Sequence, residues 1–174
     1  MAGLYHYFVE GECEEALLKA LMHSHECEYD ICLGKIEVLN VIYQKISRSK
    51  ALTLKKGTTV VFVFDTDIPK TDVLEENIET IANVTYKEVI FVQSCKTLED
   101  ELVYSCEGIN NIDKLLNTNG KDDFKKKFIK HKDIVSKLMS VGFKPERLWS
   151  RTPPKAFSSF EQGINRIFKK KPCD

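Results

Sequence analysis

The chain has no apolar run near the ~20 residues a membrane-spanning helix needs, which excludes an integral helical membrane protein. Met1-Ala2-Gly3-Leu4-Tyr5-His6 shows no basic-then-apolar leader, so a cytoplasmic location is expected. The six cysteines are then expected to be reduced thiols rather than a disulfide frame. There is no internal repeat and no low-complexity tract, which excludes a solenoid. Net charge is zero, but the zero is a sum of unlike ends. Residues 1–40 carry eight Asp/Glu against two Lys; residues 121–174 carry fifteen Lys/Arg against six Asp/Glu. A basic segment beside an acidic one suits a nucleic-acid groove next to a metal site; a solvated lysine-rich face is the plainer reading. At 174 residues with 43% apolar and 30% charged content, the chain is long enough to bury a core as one domain with an appendage. The expected split is an α/β core over 1–108 and a basic helical extension over 109–174.

What is present centres on Val60-Val61-Phe62-Val63-Phe64-Asp65-Thr66-Asp67. Five apolar residues, β-branched or aromatic, predict a strand buried on both faces. The run ends on two carboxylates spaced i, i+2, which an extended backbone points the same way. The carboxyl end of a central strand is where ligands sit in open α/β sheets. Two oxygen ligands there suit a hard cation such as Mg²⁺; the plain alternative is an Asp-rich turn.

The remainder of the first 108 residues alternates. Residues 4–9 predict a strand ending at Glu10-Gly11, and 13–22 a helix with acids in its first turn and Leu17, Leu18, Leu21 and Met22 on one face. Glu10 then sits at a strand end and Glu14 one turn into the helix. Tyr29–Leu33 predicts a second strand, closed by Gly34. Ile36, Leu39, Asn40, Tyr43 and Ile46 fall on one helical stripe, so 36–46 is expected to be helical. A polar segment follows, 47–57. Asp72–Ile81 predicts a helix with Asp72 as N-cap and Glu75 completing a capping box. Glu88–Gln93 predicts the fourth strand, leading through Ser94 to a helix carrying Glu99. Four strands alternating with helices predict a mostly parallel sheet flanked by helices. Right-handed crossovers would gather Glu10, Asp65, Asp67, Ser94 and Glu99 at one edge. Beyond 108 the expectation is helical: 122–139 ended by Gly142, a short 143–149 segment, a break at Pro153-Pro154, a last helix over 158–168, and a frayed Lys169-Lys170-Lys171.

Glu10-Gly11 after one strand and Asp65-Thr66-Asp67 after another resemble the Toprim domain of topoisomerases, primases and related nucleases. Glu14, and Ser94 with Glu99 five residues on, resemble its OLD-type and RloB-like bacterial branch, whose members serve in phage defence. The resemblance covers about residues 4–108 and rests on short motifs in the right order. It implies a metal-dependent nuclease acting on DNA or RNA with two Mg²⁺ or Mn²⁺ ions. Glu10, Asp65 and Asp67 would hold one ion; Glu14, Ser94 and Glu99 would help place the second. It also implies a catalytic lysine beyond the acidic helix, for which Lys127, Lys130 and Lys132 are the candidates. OLD-type proteins carry a P-loop ATPase; none is present here, so any ATPase would be a separate partner. The competing readings are a non-catalytic nucleic-acid-binding or regulatory subunit, and a phosphatase of the haloacid dehalogenase type. The latter fits Asp65-Thr66-Asp67 but wants Thr or Val where Pro69 stands, and Asp122-Asp123 follows a polar loop rather than a strand. His23, His25, Cys27 and Cys32 lack the paired spacing of a structural zinc site. Cys13, between Glu10 and Glu14, is set against thiolate chemistry by its acidic neighbours.

Overall fold

A computed structural model describes residues 4–84 and 88–171. The elements in order are β1 (Tyr5–Val9), α1 (Glu12–His23), β2 (Tyr29–Ile31), β3 (Gly34–Val38), α2 (Arg48–Leu52), β4 (Thr59–Asp65), α3 (Asp72–Ala82), β5 (Val89–Ser94), α4 (Leu98–Ser105), α5 (Asp113–Leu116), α6 (Lys121–Lys130), α7 (Ile134–Ser140), α8 (Ile164–Ile167) and β6 (Phe168–Lys170). A parallel four-stranded sheet runs β3-β1-β4-β5. The apolar run of β4 makes it a central strand, fully buried from Val60 to Phe64. Alternate residues go to opposite faces, as the strand period requires. Val61 and Val63 join a core with Tyr7, Leu17, Leu18, Leu21, Leu102, Phe124, Phe128 and Trp149. Phe62 and Phe64 join a second core with Phe8, Leu74, Ile81 and Phe157 on the other face. No helix among the described residues is long and apolar enough to cross a membrane.

The expected α/β sheet is there, but one strand is not the one expected. Gly34, expected to close a strand, and residues 36–38, expected to begin the 36–46 helix, instead form the edge strand Gly34–Val38 paired with β1, Tyr5 opposite Gly34 and Val9 opposite Val38. Tertiary pairing overrides the helical stripe in a segment where Ile36, Val38, Val41, Ile42 and Ile46 are β-branched. A Cβ at Gly34 would lie 2.6 Å from the Tyr5 carbonyl oxygen, so only glycine lets the two strands close. The chain then turns over 40–44, with Tyr43 and Gln44 N–H groups donating to the Asn40 carbonyl. Tyr29–Ile31 is a strand outside the main sheet, paired antiparallel with Phe168–Lys170. The lysine-rich end expected to fray is therefore held, and the expected 158–168 helix shrinks to α8, after a 3₁₀ turn at Lys155–Phe157.

Helix ends depart in two further places. The N-cap of α3 is Thr71, without a side-chain cap bond, and Asp72 is the first helical residue, so the expected capping box does not form. The expected 122–139 helix is two helices, because Asp133 accepts from the Ser136 N–H and starts α7 afresh. Gly142, at φ 74°, closes α7 as expected, with Phe143 N–H donating to the Leu138 carbonyl. The 109–171 part packs α6 and α7 against α1, which brings the basic helix beside the carboxyl edge of the sheet.

A candidate acidic cleft at the carboxyl edge of the sheet

Glu10 follows β1, Asp65 ends β4, Glu14 lies on α1 and Glu99 on α4. All four line one cleft of about 490 Å³, facing Asp122, Lys125, Lys126 and Ile129 of α6, with Asn40 at its side. Backbone bonds fix the acids at the sheet end. The Glu10 N–H donates to the Val63 carbonyl at 3.1 Å, extending the ladder one residue. The Asp65 N–H donates to Glu10 Oε2 at 2.9 Å, and Asn40 lies beside Glu10 in the cleft lining. Glu99 stands 3.8 Å from Lys125 Nζ.

Burial is the main cause of a shared electrostatic signature. It raises the Glu10 carboxyl, an effect partly offset by the Asp65 N–H and added to by Asp67. It raises Glu14 to about 7, with Glu10 and Glu99 pushing the same way and Lys125 opposing. It raises Asp65 to about 9, reinforced by Glu14 and Glu10. Carboxylates this close, with few counter-charges, disfavour one another's ionisation. Asp65 Oδ1 is buried and has no hydrogen-bond partner, an arrangement that native interiors rarely leave unexplained. Cys13 lines the same cleft, its thiol pushed up to about 12 by burial and then by Glu14, so it is not a thiolate.

Five expected site residues, Ser94, Asp67, Lys127, Lys130 and Lys132, do not line the cleft. Ser94 is fully buried behind the cleft wall, paired in register with Asp65; its hydroxyl accepts from the Trp149 indole N–H at 3.3 Å. Asp67 is exposed and does not line the cleft. The i, i+2 argument fails there because β4 ends at Asp65 and Thr66 turns the chain. The Thr66 hydroxyl donates to the Ser94 carbonyl, its N–H donates to the Lys96 carbonyl, and Lys96 N–H donates back to its Oγ1. Of the lysine candidates, Lys127 bonds the Asn117 carbonyl and Asp123. Lys127 and Lys130 flank a neighbouring depression of about 530 Å³ with Lys126, His131 and Lys137. Lys132 lies by another hollow, with Lys19 and Glu12.

The lysines that reach the cleft are Lys125 and Lys126, which the sequence reading passed over. The signal was available. Phe124 and Phe128 are the buried face of α6, and Asp122, Lys125, Lys126 and Ile129 follow the i, i+3, i+4, i+7 spacing of one adjoining stripe. Glu101, fully buried, was also missed. Its Oε1 accepts from Cys95 N–H and Arg151, and its Oε2 from Trp149 N–H. It ties the loop after β5 to the C-terminal segment.

Apart from the protonated Cys13 thiol, the cleft's potential ligands are oxygens, which suits a hard divalent cation, and Asp65 Oδ1 is one such donor without a partner. Among the described residues no three of His, Cys, Asp and Glu are already gathered into a group that could hold an ion. Glu10, Glu14, Asp65 and Glu99 would have to draw together to share one. No protein-family model, curated protein or solved structure matches the chain.

Proposed function

We propose that the chain is a Toprim-like, Mg²⁺-dependent phosphodiester hydrolase acting on DNA or RNA. The observation that carries this reading is the meeting of Glu10, Glu14, Asp65 and Glu99, from separate segments, in one cleft walled by Lys125 and Lys126. Four acids gathered with so little neutralising charge are costly to fold around unless a cation joins them. Glu10, Asp65, Glu14 and Glu99 would hold the metal; bound there, Mg²⁺ or Mn²⁺ would offset the carboxylates and supply Lewis-acid stabilisation of the phosphodiester oxygens. The chain's own part is positional. Asp65 N–H fixes the Glu10 carboxylate through Oε2 at the sheet end, where Glu10 lines the cleft. Lys125 and Lys126 meet the substrate phosphate from the opposite wall. Lys126 also borders the depression holding Lys127, Lys130, His131 and Lys137; a polyanionic backbone leaving the cleft has cations to follow.

The test is cleavage of end-labelled DNA and RNA with Mg²⁺ or Mn²⁺ against EDTA. Cleavage that needs the metal, falls about 100-fold or more in Asp65→Asn, and falls clearly in Lys125→Ala supports the reading. Equal cleavage by wild type and Asp65→Asn overturns it.

A second reading, a nucleic-acid-binding or regulatory subunit without catalysis and working with a separate partner such as an ATPase, is favoured by Lys127, Lys130 and Lys132 standing outside the cleft. The two separate on the melting transition. Binding to the folded state stabilises by RT ln(1 + [L]/Kd), so a shift at millimolar Mg²⁺ that Asp65→Asn removes supports the metal site. Nucleic-acid binding without any such shift supports the subunit.

A further inference from the structure

At the other end of the sheet, the amino ends of β1, β3 and β4 surround a cavity of about 310 Å³. Ligands of open α/β sheets gather at the carboxyl edge, so the acidic cleft does not account for this one. Its floor holds His6, only 7% exposed, whose Nε2 has no hydrogen-bond partner. Glu37 Oε2 lies 3.4 Å from that nitrogen without bonding it. The rim carries two cations, Lys35 and Lys55. Lys55 makes no ion pair with any described residue, and Lys35 reaches only Glu37, at 4.0 Å. No carboxylate lines the cavity itself; Glu37 answers Lys35 and His6 from outside the lining, which leaves Lys55 as the cation without a partner there.

The rest of the wall mixes leucines with the hydroxyls of Thr53 and Thr58. Leu4 is 49% exposed and Leu33 64%, and both border the cavity above buried Leu54. Two such leucines side by side, next to Lys55 without an ion pair, form an exposed apolar patch rather than scattered single residues. The volume is at the small end of ligand pockets, about 300–1,000 Å³. That is too little for a nucleic-acid strand and enough for one small molecule.

We infer that this cavity binds a small amphiphilic anion, its carboxylate or phosphate head on Lys35 and Lys55 and its apolar body on Leu4, Leu33 and Leu54. The inference is independent of the nuclease reading. It concerns a different edge of the sheet, and its test uses no activity.

Titrate the whole protein with 8-anilinonaphthalene-1-sulfonate as the probe, then displace it with octanoate or octyl phosphate. Follow the His6 ring signals by NMR in parallel. Lys55→Glu and Leu33→Asp change exposed side chains, so neither should disturb folding; Lys127→Glu is the control in the other basic depression. Expected are saturable one-to-one binding, displacement by either amphiphile but not by inorganic phosphate, movement of the His6 signals, and a rise in Kd of at least fivefold in each cavity variant with none in the control. The inference is overturned by an absence of saturable binding, by equal affinity in all variants, or by weakening confined to Lys127→Glu.

Discussion

Asp65 and Glu14 are the two side chains whose surroundings most oppose their usual charge. Their carboxyls are raised to about 9 and about 7, first by burial and then by acidic neighbours, Glu14 and Glu10 at Asp65, Glu10 and Glu99 at Glu14. The sign of the consequence follows from proton linkage. Below about pH 4 both groups are protonated whether the chain is folded or not. As pH rises past that value, the unfolded chain gives up protons that the folded chain retains. Stability therefore falls with rising pH, through about 7 for Glu14 and on toward 9 for Asp65. In EDTA, the melting temperature is expected to decline from pH 5 to pH 8.5. Asp65→Asn, which cannot ionise, should flatten that decline, and millimolar Mg²⁺ should flatten it for the wild type. An identical slope in wild type and variant would show that the Asp65 site is wetter than its burial indicates.

At the scale of elements, the placement of the acids depends on where strands stop and helices start. Gly34 sits against Tyr5 so closely that β3 can pair with β1 only without a side chain. Gly34→Ala is expected to destabilise by about 2 kcal/mol or more, since backbone must shift to admit the methyl. A urea denaturation midpoint measures it. Asp133 caps α7 through the Ser136 N–H; Asp133→Ala should cost about 1 kcal/mol on the same assay. Lys132, Asp133 and the break before them end α6 at Lys130. That break keeps the Asp122-Lys125-Lys126-Ile129 stripe aimed at the cleft while α7 packs Ile134, Val135 and Leu138 on the core.

At the scale of the whole molecule, two features span distant parts of the chain. Glu101, with no exposure, holds Arg151 and the Trp149 N–H against the loop after β5. Arg151 also donates to the Cys95 carbonyl and lies over the Tyr104 ring. Arg151→Ala leaves a buried carboxylate short of its cation. Because Arg151 is itself a quarter exposed, the loss should lie near the low end of the usual range, about 3 kcal/mol, read from thermal or urea unfolding. The other feature is the charge split between the acidic cleft and the lysines of α6 and α7. If a nucleic-acid backbone follows those lysines, log Kd should vary linearly with log salt. Lys126→Ala and Lys130→Ala should each lower the slope by about 1, uniformly across sequences. A salt-independent affinity would remove the backbone from consideration.

The sequence by itself determined the buried β4 strand, the helix after each of Val9, Asp65 and Ser94, and the acids at those junctions. These follow from local rules: an apolar run long enough for one strand, acids at helix starts, and glycine where a turn must close. Tertiary structure alone decided which segment became the fourth strand, since residues 34–38 pair with β1 through contacts no local period encodes. It also decided that Asp67 turns away while Glu10, Glu14, Asp65 and Glu99 share a cleft, because one buried hydroxyl, that of Thr66, ends the extended register after Asp65. Which lysines of α6 stand opposite the acids was set by the burial of Phe124 and Phe128, a matter of how one helix rolls on another rather than of residue type.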